Sequence, residues 1–165
     1  MDVLFAPWRM KYINYAKIEK PQKCFICEAA ESSDLKSNLV VYRSESVIVL
    51  MNKFPYNTGH LLIAPVRHVA DLGELRDDEL CELARTLRMA VSWLKRALSP
   101  DGFNVGINLG KVAGAGLESH IHIHLVPRWS GDTNFMPVVA DTKVIPEALE
   151  DTYEKIISAK NSSSA

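Results

Sequence analysis

Apolar residues recur along the chain with two different periods, and each change of period marks a change of element. Leu39-Val-Val-Tyr-Arg43, Ser46-Val-Ile-Val-Leu-Met51 and His60-Leu-Leu-Ile-Ala-Pro65 are short, apolar and rich in β-branched residues, which predicts three strands. The stretch Asn52–Gly59 between the last two is dense in turn formers. From Asp71 to Leu98 the spacing lengthens. Leu72, Leu75, Leu80, Leu83, Leu87, Val91 and Leu94 fall near helical intervals, and acidic starts at Asp71 and Asp77 divide the region into a short helix near 71–75 and a long one near 77–98. Ser99-Pro-Asp-Gly102 stops it. Phe103–Leu109 and Ser119–Arg128 alternate and predict two more strands around the glycine-rich Gly110–Gly116. Thr142–Ile157 reads as a closing helix. Residues 1–22 form an N-terminal arm, 23–157 a single domain, and 158–165 a disordered tail.

Composition narrows the class. A chain of 165 residues with 47% hydrophobic and 24% charged residues is an ordinary globular domain with room for a core. A net charge of −1 gives no strong pull toward nucleic acid or an anionic membrane. The longest apolar runs are far too short to span a bilayer, and the first residues show no signal-peptide pattern. Three cysteines, Cys24, Cys27 and Cys81, are an odd number, which argues for reduced thiols and a cytoplasmic protein. Cys81 falls on the long helix as core or surface filler.

Candidate chemistry gathers in Ser119-His-Ile-His-Ile-His-Leu-Val-Pro-Arg128, which holds three of the five histidines. On a strand His120, His122 and His124 would share one face, with Ile121, Ile123 and Leu125 on the other. Imidazoles on a half-buried strand cost stability unless a metal, a phosphate or a hydrogen-bond chain uses them; an incidental cluster is the alternative. Cys24-Phe-Ile-Cys27 fits either a metal clamp or a redox pair. Asn52 reads as a turn residue or a ribose ligand, and the glycine loop as a phosphate cradle or a flexible hairpin. Pro127–Phe135, with Trp129, is dense in side chains suited to line a pocket.

His120-Ile-His-Ile-His-Leu-Val resembles the signature of the histidine triad (HIT) family, in which histidines alternate with apolar residues. Asn52, Gly59-His60, Pro65, Pro127–Phe135 and Pro7-Trp-Arg-Met10 are similar to the branch that contains the dinucleoside polyphosphate hydrolases and Ap4A phosphorylases. The resemblance covers roughly residues 5–155. It implies an α+β domain with an antiparallel sheet of five strands packed with a long central helix and a C-terminal helix, usually as a homodimer. It also implies attack on the α-phosphorus of a nucleotide by His122, with His124 holding the phosphoryl oxygens. Asn52 becomes a ribose ligand and His60 a supporting residue; Asn108, Gly116, Ser119 and Trp129 are the further substrate contacts. Cys24, Cys27, His68 and His120 would hold a structural zinc, and magnesium is a second cofactor suited to a polyphosphate. The chain departs from the pattern in two places. Leu117 stands where many members carry a hydroxyl residue, and Asn108 lies one residue further from the triad than expected.

Several readings stay open. Orthophosphate would make the protein a phosphorylase of Ap4A, the reading favoured by Pro127–Phe135, whereas water would make it a hydrolase of Ap4A, Ap3A or nucleoside phosphoramidates. A nucleotide-binding module without turnover, and a redox or regulatory protein built on the CxxC, are the competitors from other classes.

Overall fold

The computed structural model describes residues 24–133 and 144–162, and within them lies an antiparallel sheet of five strands in the order β1-β2-β3-β5-β4. Element by element the chain runs α1 (Phe25–Glu31), β1 (Val40–Arg43), β2 (Val47–Met51), β3 (Leu61–Pro65), α2 (Asp77–Leu98), β4 (Gly102–Ile107), β5 (Ile123–Arg128) and α3 (Leu149–Asn161). Single 3-10 turns stand at Leu72–Glu74 and Lys111–Ala113. The expected arm and the last residues of the expected tail lie outside the described residues. Within them no helix is long and apolar enough to cross a membrane.

β2 and β3 bury all their residues, as continuous apolar runs require when a sheet is covered on both sides. On one side Val47, Val49, Met51, Leu61, Ile63 and Leu125 pack with Leu83, Ala90, Trp93 and Leu94 of α2 and with Tyr153 and Ile156 of α3. On the other side Val40, Ile48, Leu50, Leu62 and Ala64 pack with Ile26 and Ala29, one turn apart on α1. α1 covers only the β1–β3 part of this face. Over β4 and β5, Asn104, Gly106 and Arg128 remain exposed, and that is where the site lies.

α2 ends where expected but buries a different stripe. Its inward positions are Glu79, Leu83, Thr86, Ala90, Trp93 and Leu94, while Leu80 is 39% exposed. Glu79 occupies an apolar position because its carboxylate has work to do. It accepts from the Arg76 backbone N–H at the helix start (2.9 Å) and receives the Arg67 guanidinium through Nε and Nη2 (2.9 and 2.7 Å). Arg67 also reaches the carbonyl of Glu74 (2.7 Å), so one buried carboxylate clamps the loop after β3 to the start of α2. Hydrogen bonds from Arg67, outweighing burial, hold the Glu79 carboxyl down at about 2. The unfolded chain binds the proton more tightly, so this stability is complete above pH 4.5 and is lost as pH falls toward 2. Glu79→Gln is expected to cost about 1–3 kcal/mol at pH 7, discounted because Arg67 is half in solvent. Urea unfolding at stepped pH checks this: the gap between the two proteins should narrow below pH 4.5 and close only near pH 2.

Three boundaries differ from the sequence reading. Cys24 immediately precedes a helix rather than a simple turn, and Cys27 sits in its first turn. The C-terminal helix starts at Leu149, not Thr142, and continues to Asn161 instead of giving way to a tail at 158. The histidine strand is the third case. β5 begins at Ile123, so only His124 stands in the ladder, and His120 and His122 lie in an irregular lead-in. The lead-in leaves β3 because the Ile121 N–H donates to the carbonyl of Val69 (2.7 Å), in the loop that Arg67 and Glu79 fasten. The apolar alternation survives: Ile121 and Leu125 are buried in the helical core, and Ile123 packs against it.

Candidate active site

The segment ahead of β3 must cross the sheet before it can deliver a histidine to the open face. Gly59 makes that crossing at φ +74°, and a Cβ there would lie 2.5 Å from Leu98 Cδ1 of α2, so neither the backbone nor the space admits another residue. His60 then turns to the opposite face and is fully buried. Its Nδ1 accepts from the Tyr56 backbone N–H (3.1 Å) and faces the Asn52 amide nitrogen at 3.3 Å. With Nδ1 accepting, the ring proton is on Nε2, which points at His124 Nδ1 at 2.9 Å. His124 therefore accepts at Nδ1 and carries its own proton on Nε2, directed into the site. The amide nitrogen of Asn108 stands 3.4 Å from that Nε2, and since both are donors in this tautomer no hydrogen bond joins them. Burial, then the neighbouring histidines, hold His60 down at about 3 and His124 at about 4, so both rings are neutral near pH 7.

His122 is oriented from its own lead-in. Its Nδ1 donates to the carbonyl of His120 at 2.8 Å, which leaves the Nε2 lone pair free. Burial lowers its pKa, against the effect of that carbonyl, so it too is neutral. The His122 and His124 rings meet edge to face at 4.8 Å between centroids. The site therefore presents a lone pair and an N–H side by side, the complementary functions needed to attack phosphorus and to bind its oxygens.

The first triad histidine faces elsewhere. His120 Nε2 donates to the carbonyl of Pro65 (2.8 Å), and its Nδ1 lies 3.3 Å from Cys24 Sγ and 3.5 Å from Cys27 Sγ. His68 Nδ1 lies 3.2 Å from Cys27 Sγ. The four donor atoms all lie within 4.8 Å of one another. A tetrahedral zinc with ligand bonds of about 2.0–2.3 Å spaces its donors roughly 3.4–3.8 Å apart, close to these separations. The Pro65 carbonyl fixes the tautomer that points Nδ1 at the sulfurs, an outer contact of the kind metal-bound histidines make. Burial, then the Cys24 thiol, push the Cys27 thiol up to about 11. A dication among these donors would reverse that shift.

The structure thus gathers His60, His122, His124, Asn52 and Asn108 on one face, and Cys24, Cys27, His68 and His120 in a cluster beside it. Asn108 reaches this face despite its offset, and its amide also donates to the carbonyl of Gly114 (3.4 Å). Asn52 keeps its turn role as well, since Oδ1 accepts from the Phe54 N–H (2.8 Å). Gly116 and Ser119 are exposed in the loop that precedes the triad. Trp129 is not brought to the histidines: its indole N–H reaches the carbonyl of Leu98 at the end of α2 (3.4 Å), on the helical side of the sheet. The sequence reading missed Tyr56, whose ring stacks over His124 at 5.6 Å and lies 4.6 Å from His60. Its place next to the turn at Asn52 was the available signal.

Comparisons with known proteins agree with this arrangement. The family model described as HIT domain matches residues 34–131. The chain is 39% identical over 154 residues to the AP-4-A phosphorylase of Mycobacterium tuberculosis, covering 90% of this chain and 79% of that one. It is 32% identical over 93 residues to the asymmetrical bis(5'-nucleosyl)-tetraphosphatase of Schizosaccharomyces pombe, covering 56% of this chain and 50% of that one. Among solved structures, a hypothetical histidine triad nucleotide-binding protein from Sulfolobus tokodaii superposes with a TM-score of 0.66 at 25% identity, covering 84% of this chain and 93% of that one. A Zn-bound histidine triad family protein from Mycobacterium smegmatis shares the fold with a TM-score of 0.67 at 24% identity, covering 86% and 96%. With His122 and His124 paired at an open sheet face and the family model spanning more than half its length, the chain belongs to the HIT domain family.

Proposed function

We propose that the protein is an Ap4A phosphorylase that works through a nucleotidyl-histidine intermediate. One observation carries this reading: His122 donates through Nδ1 to a backbone carbonyl, which leaves Nε2 as a neutral nucleophile beside the outward N–H of His124. His122 Nε2 attacks the α-phosphorus, a P–N bond forms, and the P–O bond to the rest of the polyphosphate breaks. The ring becomes an imidazolium whose Nδ1–H donates more strongly to the His120 carbonyl as the charge develops. The His124 N–H serves the phosphoryl oxygens, and the chain from Tyr56 and Asn52 through His60 keeps it a donor throughout. An orthophosphate oxygen then attacks the same phosphorus, loses its proton and restores His122, giving ADP and ATP from Ap4A. Resemblance to the mycobacterial phosphorylase supports phosphate over water as the acceptor. Product analysis with and without phosphate tests this: ADP plus ATP is the expected pair, while AMP plus ATP in both conditions overturns phosphorolysis in favour of a hydrolase.

The same reading assigns the remaining parts. Cys24, Cys27, His68 and His120 would hold a zinc ion that fixes the lead-in to His122 and acts as scaffold, away from the phosphorus. Ser119 and the backbone amides at Gly116 would serve the phosphate oxygens, and Asn52 the ribose. Magnesium would accompany the polyphosphate. β4 is a sheet edge among the described strands; its helical-side residues Val105 and Ile107, and Leu109 just past its end, are 51%, 36% and 49% exposed, which supports a homodimer joined along this strand. Free thiols at Cys24, Cys27 and Cys81 support a cytoplasmic location.

A further inference from the structure

The two faces of β4 are unlike. Toward the helices it carries Phe103, Val105 and Ile107; toward the histidines it carries Gly102, Asn104 and Gly106. Gly106 pairs with His124, Asn104 with Val126 and Gly102 with Arg128, so the small residues run beside the reactive row and continue past it.

Among the described residues nothing demands the glycine at 106. Its φ is not in the left-handed region, and a Cβ there would meet no heavy atom within 4 Å. A glycine in a strand interior weakens the strand, and where neither backbone nor packing requires it, it marks close approach by something else. Beyond it opens a cavity of about 360 Å³ lined by Tyr56, Asn57, Asn104, Val126, Arg128 and Thr133. Tyr56 is 55% exposed at one wall, with its ring already aligned on His124. Arg128 forms the other wall. Its guanidinium is held by Asp132 through Nε and Nη2 (2.6 and 3.0 Å) and by the Asn104 side-chain Oδ1 through Nη1 (2.7 Å). Asn57 Nδ2 braces the same carboxylate (2.8 Å). An exposed aromatic ring and a fixed guanidinium plane around a flat floor are the surfaces on which a nucleobase stacks.

We propose that this cavity beyond His124 is a second nucleoside subsite, floored by Asn104 and Val126, walled by Tyr56 and Arg128 and bordered on the His124 side by Gly106, which takes the leaving half of a dinucleoside polyphosphate. The assignment rests on the functional reading above and adds to it: His122 and His124 process the phosphorus, and the subsite selects substrates that end in a second nucleoside.

The test compares kcat/KM for Ap4A with that for adenosine 5'-tetraphosphate, which has the same phosphate chain and no second nucleoside. In Gly106→Val and in Tyr56→Ala the Ap4A to tetraphosphate ratio should fall about tenfold, the scale of one lost stacking contact. Thermal unfolding and the oligomeric state should match those of the parent in both variants. If the ratio holds while the parent enzyme cleaves both substrates, the subsite is overturned and the functional reading stands. A Gly106→Val chain that melts earlier or changes its oligomeric state assigns the glycine to packing and also overturns it. A parent chain that cleaves neither substrate overturns the functional reading, and the subsite with it.

Discussion

His122→Asn will lower kcat/KM on Ap4A by about four powers of ten or more while leaving the fold and nucleotide binding in place. The expectation follows from position as well as from chemistry. The ring is buried and held through Nδ1 by the His120 carbonyl, which leaves the Nε2 lone pair free. An asparagine keeps the polarity and most of the volume but offers no nucleophilic lone pair on nitrogen, so the two-step displacement has no first step. A substrate labelled at the α-phosphorus reports the same event directly. The parent protein, quenched during turnover, should carry label on His122, and the variant should carry none. A variant that keeps a tenth of the parent activity would remove His122 from the mechanism.

Cys24→Ser will release the metal and lower both thermal stability and activity. The purified parent should contain about one zinc per chain, and the variant close to none. Losing a donor from a closed set removes binding free energy that is also folding free energy; a cost of about 3–5 kcal/mol would lower the thermal midpoint by roughly 10 °C in a domain of this size. Activity should fall even though no donor touches the substrate, because His120 lends its ring to the cluster and its carbonyl to His122. A chelator should reproduce the loss in the parent, and added zinc should restore it there but not in the variant. A parent chain without metal, equally stable with and without chelator, would leave the cluster as packed thiols and imidazoles.

Much of this was legible in the residues. The long helix ends at Leu98 as its spacing and the Ser99-Pro-Asp-Gly102 stop predict, and Ser99 takes the left-handed conformation that closes it. The strands are offset by a residue or two from their apolar runs, and the alternation of histidine with isoleucine sorted the two faces correctly. The failures have a common cause: tertiary partners redirected local pattern. Periodicity put Leu80 inside, but Glu79 took the buried position because Arg67 approaches from another element. Alternation carried the strand through His120, but Val69 and Pro65 draw that segment out of the ladder. A seven-residue helix after Cys24 has too few turns to show a period, and its two buried residues look like loop. Asn108 looked misplaced because spacing along the chain does not fix where a side chain arrives in space.

The sheet order has a kinetic side. The strand that ends the ladder in sequence is not at its margin: β5 slots between β3 and β4, and among the described residues β4 has β5 as its only neighbour. Until the chain beyond Ile123 is available, β3 has one bare side and β4 has nothing to pair with, so the sheet cannot be finished from its first four strands. Non-local pairing of this kind is paid for late in folding. The paired rings ride on the segment that completes the sheet, so a half-assembled chain lacks the His122–His124 pair.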